Sequence, residues 1–152
     1  MATTVASVAE LTALTGKHLG YSAWREVTQD QVNTFADATD DHQWIHVDAE
    51  RAAAGPFGTT IAHGFLTLSL LVPMWSEILH FEAVRHGINY GLNKVRFPST
   101  VPVGSRIRAG ATLVSVETVA AGSLQIVVDF VIEREGAEKP CCIAQGLYRL
   151  YT

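Results

Sequence analysis

The stretch Ala62-His63-Gly64-Phe65-Leu66-Thr67-Leu68-Ser69-Leu70-Leu71-Val72-Pro73-Met74-Trp75-Ser76-Glu77-Ile78-Leu79-His80-Phe81 carries a single formal charge, at Glu77. Phe65, Leu66, Leu68, Leu71, Val72, Trp75, Ile78 and Leu79 leave almost no helical face polar, which predicts a helix enclosed on most sides. Pro73 has no backbone N–H and its ring crowds the turn before it, so a kink is expected. The wider run 52–76 contains no Asp, Glu, Lys or Arg, and by length alone it suits a membrane span. Gly55, Pro56, Gly58, His63, Gly64 and Pro73 interrupt it. A loop followed by a buried helix accounts for it better, and no membrane association is expected.

Downstream of this helix the hydrophobic period changes from helical to two. Leu124, Ile126, Val128, Phe130 and Ile132 form one apolar face, opposite Gln125, Asp129 and Glu133. Residues 105–119 and 141–151 alternate in the same way, with Gly122 and Gly136 at the turns, so the three segments read as a long antiparallel meander. Upstream, 5–14 reads as a short helix stopped by Gly16, and 21–27 as a first strand. Thr28 and Gln31 have capping-box spacing, and Val32, Phe35 and Ala36 then share a face, predicting a helix over 29–38. A shorter helix over 49–54 is capped by Asp48 and ended by Gly55-Pro56. The 152 residues are the size of one domain. The expected architecture is a single α+β domain, 1–152, in which a long antiparallel sheet curls around a central helix.

At 48% hydrophobic and 17% charged with 12 Gly, the chain has the composition of a folded globular protein. A net charge of -4 argues against nucleic acid as a partner, because phosphate contacts need a clustered cationic face. The charge is uneven: 1–82 hold ten acids and three bases, whereas 83–152 hold five acids and eight bases. No acid occurs over 83–116, where Arg85, Lys94, Arg96, Arg106 and Arg108 make a candidate anion-facing strip. The two cysteines, Cys141 and Cys142, are adjacent and would point to opposite faces of an extended segment, so the chain reads as reduced and cytoplasmic. The N-terminal residues lack a basic region before an apolar one, unlike a secretory signal.

The segment 37–48 concentrates chemistry, with Asp37, Asp40, Asp41 and Asp48 beside His42 and His46. Three readings are open from the residues alone. His42, His46 and Asp48 could ligate a divalent ion, since His at i and i+4 share a helix face. The segment could be a solvated capping loop. Or one carboxylate and one imidazole could hold a water between them as an acid–base pair.

The order Phe-Ala-x-x-Thr-x-Asp-x-Gln-x-Ile-His-x-Asp over 35–48, followed by Ile61-Ala62-His63-Gly64-Phe65-Leu66, resembles the MaoC-like dehydratases, the (R)-specific enoyl-CoA hydratases of hot-dog fold. Residues 89–97 and Val101-Pro102-Val103-Gly104 are similar to the branch that includes nodulation-protein-N-like hydratases. The resemblance covers about residues 20 to 150. It implies that Asp41 and His46 are the catalytic aspartate and histidine, and that the backbone N–H of Gly64 receives the thioester carbonyl. Gln43-Trp44 stands where most members have Asn-Pro. The implied reaction is reversible addition of water to trans-2-enoyl-CoA, giving (R)-3-hydroxyacyl-CoA, with no metal and no redox cofactor. Helix N-terminal N–H groups lack intrahelical partners and favour negative charge, which suits a carbonyl oxygen becoming an oxyanion.

Other residues are weighed as substrate contacts. Gln43 and Asn93 are candidates to order the pocket, His63 to form a wall, Trp44, Phe65 and Tyr90 to line an acyl tunnel, and Lys94 and Arg96 to meet the phosphates of CoA. Two further functions remain beside hydration: a hot-dog acyl-CoA thioesterase, and a non-catalytic acyl-CoA-binding subunit. Exposed sheet edges, together with the resemblance, predict a homodimer.

Overall fold

The computed structural model describes residues 2–152. Its main sheet has the order β2 (His18–Tyr21), β6 (Arg106–Ala120), β7 (Ser123–Arg134), β8 (Cys142–Tyr151), β5 (His86–Arg96), with β3 (Arg25–Glu26) also pairing β6. The meander forms where alternation predicts it, as β6, β7 and β8. Gly122 and Gly136 take φ of 69° and 77° at its turns, a region that costs a residue without Cβ little. Ile126, Val128, Phe130 and Ile132 of β7 are buried together with Ile107 and Leu113 of β6.

The helix against this face is bent, as Pro73 predicts, but the bend lies upstream of the proline. α5 (Gly64–Ser69) passes through Leu70 into α6 (Leu71–Ile78). Pro73 is the third residue of α6, where a missing N–H costs little, while its ring crowds the turn near Ser69 and forces the change of direction there. Leu66, Met74 and Ile78 enter the core, and Trp75 sets its ring edge on Phe130 at 5.5 Å. Enclosure is partial in the single chain: Phe65 is 71% and Val72 56% exposed. The sheet curled on this helix is the hot-dog arrangement.

The flanking elements correct several expectations. The first helix is shorter than 5–14: α1 (Val8–Thr12) begins after Ser7, whose side chain caps Glu10, while Val5 lies in β1 (Thr3–Val5). β1 runs parallel to β4 (Leu79–Phe81), which takes the end of the expected central helix. The strand expected over 21–27 is two pieces, β2 (His18–Tyr21) and β3 (Arg25–Glu26). α2 (Gln29–Thr39) begins at Thr28, whose hydroxyl accepts from the Gln31 N–H at 3.2 Å. α3 (Trp44–Val47) forms inside the expected loop, ahead of α4 (Ala49–Ala53), which Asp48 caps. β5 (His86–Arg96) is the sheet edge, bonded only to β8.

Candidate active site

α2 ends where Asp40 adopts φ 62°, a left-handed turn that Asp tolerates better than most residues and that sends the chain back across the helix end. Asp41 emerges exposed, and one turn later α3 carries His46 inward to 6% exposure. The His46 Nδ1–H donates to the Ile61 carbonyl at 2.7 Å. A carbonyl only accepts, so this contact fixes the neutral tautomer with a bare Nε2. Burial holds the His46 pKa below its ordinary value; the bond to Ile61 opposes that, the neighbouring His63 adds to it, and Asp41 counters. Imidazole without a proton on Nε2 is therefore the resting form near neutral pH.

Two helices and a loop converge to hold this ring. Gln29 Nε2 donates to the His46 carbonyl at 2.8 Å, and its Oε1 accepts from the buried Thr60 hydroxyl at 2.6 Å. Residues 61 and 62 are fixed in turn against the strand-like segment at 101–102: the Ala62 N–H reaches the Val101 carbonyl at 2.8 Å, and Ile61 bridges Pro102. The His63 Nε2–H donates to the main-chain carbonyl of Asp41 at 2.9 Å, and its ring stacks on His46 with centroids 3.9 Å apart and planes 25° apart.

One carboxylate oxygen of Asp41 and one ring nitrogen each of His46 and His63 lie within 4.8 Å of one another. Two hydrogen bonds of about 2.8 Å to a single water span roughly 4.5 Å between their acceptors, so Asp41 and His46 are spaced to share one solvent molecule. A divalent ion fits less well. Stacked imidazoles send their in-plane lone pairs out side by side, whereas tetrahedral coordination needs them to converge. The metal set considered from sequence does not assemble at all: His42 is exposed and bonds Asp37 at 2.9 Å, and Asp48 is occupied capping Arg51 at 3.0 Å.

His46 opens onto a cavity of about 360 Å3, lined also by Ile61, Gly64, Thr67, Phe97 and Thr100. No side chain caps α5, whose first residue is Gly64. A Cβ on Gly64 would meet the Phe97 ring at 3.2 Å, so close approach, rather than backbone conformation, favours glycine here. Cys141 also lines the cavity, with burial raising its thiol to about 11, and Cys142 beside it is raised to about 12; neither is a thiolate near neutral pH.

The remaining sequence candidates are dispersed. His63 is 2% exposed and packs against His46 and Phe35 rather than lining this cavity. Gln43 is exposed, and only its N–H approaches the Asp41 carboxylate, at 3.4 Å. Phe65 and Tyr90 are exposed on α5 and β5, and Tyr90 is covered by Arg149 at 4.3 Å. Asn93 bonds Gln145 at 2.8 Å, Gln145 bonds Asp129 at 2.7 Å, and Lys94 lines a second cavity with Asp129 and Val131. Asp129 and Val131 alternate with the buried Val128, Phe130 and Ile132, so this group lies on the outer sheet face, away from His46. Of the cationic strip, Arg106 and Arg108 are neutralised by Glu135 and Glu133. Arg96 is exposed, makes no ion pair among the described residues, and directly precedes Phe97 of the cavity. Gln29, Thr60 and Thr67 are candidate-site residues that carry no sequence signal; the first two stand 31 positions apart and meet only in the fold.

A family model for the MaoC like domain matches residues 10–134. The chain belongs to the MaoC-like domain family. This MaoC-like protein is 56% identical over 146 residues to 3-hydroxyacyl-thioester dehydratase Z of Mycobacterium tuberculosis, covering 96% of this chain and 97% of that one. It is 44% identical over 143 residues to nodulation protein N of Rhizobium meliloti, covering 93% and 89%. Among solved structures, the monoamine oxidase regulatory protein of Archaeoglobus fulgidus superposes with a TM-score of 0.80 at 24% identity, covering 100% and 98%, a likeness of fold. No helix among the described residues is long and apolar enough to cross a membrane.

Proposed function

We propose that this MaoC-like domain is an (R)-specific enoyl-CoA hydratase, a hydro-lyase that adds water reversibly to trans-2-enoyl-CoA. The observation that carries the reading is the Asp41 carboxylate within 4.8 Å of a ring nitrogen of His46, beside a cavity that Gly64 also lines. The name of the mycobacterial relative, a 3-hydroxyacyl-thioester dehydratase, supports it. Water donates one hydrogen to Asp41 and the other to the bare Nε2 of His46, which takes that proton as the water oxygen bonds to C3. The C2=C3 electron pair moves towards the thioester, and the Gly64 N–H meets the charge developing on its oxygen. The His46 Nε2–H then returns the proton to C2, so both parts of one water end on the product. Arg96 is the proposed contact for CoA phosphate. The step uses no metal or redox cofactor. The unpaired, buried Cys141 and Cys142 support a cytoplasmic location.

Loss of enoyl absorbance from crotonyl-CoA, measured beside free-thiol release, tests this. Absorbance falls without thiol for a hydratase, thiol appears for a thioesterase, and neither changes for a binding subunit. Asp41→Asn and His46→Gln should each lower kcat/KM by about 1000-fold while the melting transition stays within a few degrees. Full activity in both variants would overturn the assignment.

We infer further that the active form is a homodimer joined along β5. That strand has one bonded neighbour and exposes Ile88, Tyr90 and Leu92. Its Leu92 shares a groove with Val72 of the exposed α6 face, so edge and helix offer one continuous apolar surface. Leu92→Lys should sediment as a monomer if two copies meet there; an unchanged sedimentation coefficient rejects the surface.

A further inference from the structure

We infer that His63 is a positioning residue that holds both members of the reacting pair in register, Asp41 through a hydrogen bond to its main chain and His46 through ring stacking. The role rests on the reading of Asp41 and His46 as the reacting groups.

Among the described residues, His63 is the one side chain that reaches both. Its Nε2–H donates across 22 positions to the carbonyl of Asp41, the first residue after the left-handed turn at Asp40. Asp41 is otherwise exposed, so this bond restrains its backbone where α2 has ended and α3 has not begun. The other attachment is a face: the His63 ring covers His46 at 3.9 Å and is itself backed by Phe35 at 4.8 Å. The Nδ1–H bond to Ile61 holds one edge of the His46 ring, and the stacked His63 ring limits the tilt that a single bond leaves open.

The same residue sits directly before Gly64, and its carbonyl accepts from the Thr67 N–H at 3.1 Å in the first turn of α5. A shift of His63 would therefore move the acid–base pair and the cavity-lining glycine together. Its chemistry is specific to the task. A Phe in this place keeps the face but has no donor, whereas a Gln keeps an N–H donor but has no face. The His63 Nδ1 is buried and meets no protein donor, a desolvation penalty that an apolar residue would avoid. A side chain placed only to fill the core would not carry it.

Steady-state kinetics of the full chain on crotonyl-CoA test the role with His63→Phe, His63→Gln and His63→Ala, run beside Asp41→Asn and His46→Gln. Displacement of reacting groups by about 1 Å costs on the order of 100-fold, and that is the expected fall in kcat for His63→Ala. Phe and Gln each restore one of the two attachments, and each should retain about tenfold more kcat than Ala. KM should stay within about twofold throughout, because the ring touches no substrate. Wild-type kcat in both His63→Phe and His63→Gln overturns the role. So does a rise in KM at unchanged kcat, which would make His63 a substrate contact. If Ala does not fold, the Phe and Gln variants decide alone. Inactive Asp41→Asn and His46→Gln beside fully active His63 variants reject only the positioning role; activity in those two rejects the site itself.

Discussion

Strands β6 and β7 pair along nearly their whole length, with irregularities after Leu113 and Thr118, and β8 continues the ladder from Cys142 to Tyr151. Between Asp40 and Gly64 such pairing shrinks to a single bridge, Ile61 with Pro102. That segment has only the short helices α3 and α4, and it is tied down by single bonds over long sequence separations: His46 to Ile61, Gln29 to His46, and His63 to Asp41. The meander draws on many similar contacts, so losing one weakens the whole fold without misplacing any particular atom. The segment between Asp40 and Gly64 relies on a few distinct contacts, so losing one should misplace Asp41 or His46 while the fold barely responds.

Two substitutions can break or sharpen that contrast. The larger effect belongs to Phe130→Ala, which removes a ring that is 1% exposed and packed beneath Trp75 and Tyr148. Urea unfolding should show a loss of about 3–5 kcal/mol. The fraction that remains folded should turn over at nearly the wild-type rate; a specific fall in kcat would show that the sheet also governs the site. The smaller effect is Gln29→Ala, which leaves the His46 carbonyl and the Thr60 hydroxyl without their partner. Stability should fall by about 1–2 kcal/mol. Its kcat should nevertheless drop about tenfold through displacement of α3. If stability and kcat fall in proportion, the two regions are not separable.

The parts of the molecule legible in sequence are those where one local rule decides. Period-two alternation places β6, β7 and β8 within about two residues, because slipping a strand by one turns its whole apolar face to solvent. Thr28 caps α2 as its spacing predicts. Asp41 and His46 are singled out among the carboxylates and imidazoles of 37–48 only by the family resemblance, and their approach is a matter of the fold.

Asn93 and Lys94 show why the rest was not legible. The β5–β8 register shifts between Asn89 and Gly91 and again between Leu92 and Lys94. Each irregularity alters which side chains share a face, so counting by twos along β5 cannot say which residues look towards the cavity. The helix break has a similar lesson: Pro73 announces it, but Leu70 is where the chain bends. His63 was visible as a residue beside Gly64, yet a bond to a carbonyl 22 positions earlier has no signature in local pattern.

By itself, the order of residues determined an antiparallel meander, a nearly uncharged helix to fill it, and a short stretch in which carboxylates and imidazoles crowd together. Hydrophobic periodicity and capping act over a few neighbours, and neighbours are what a sequence displays. Only the folded chain decided that His46 presents a bare Nε2, that Asn93 and Lys94 face away from it, and that His63 reaches both Asp41 and His46. Those outcomes depend on tautomer, strand irregularity and contact between segments distant along the chain, and each of these is settled only when the groups meet in space.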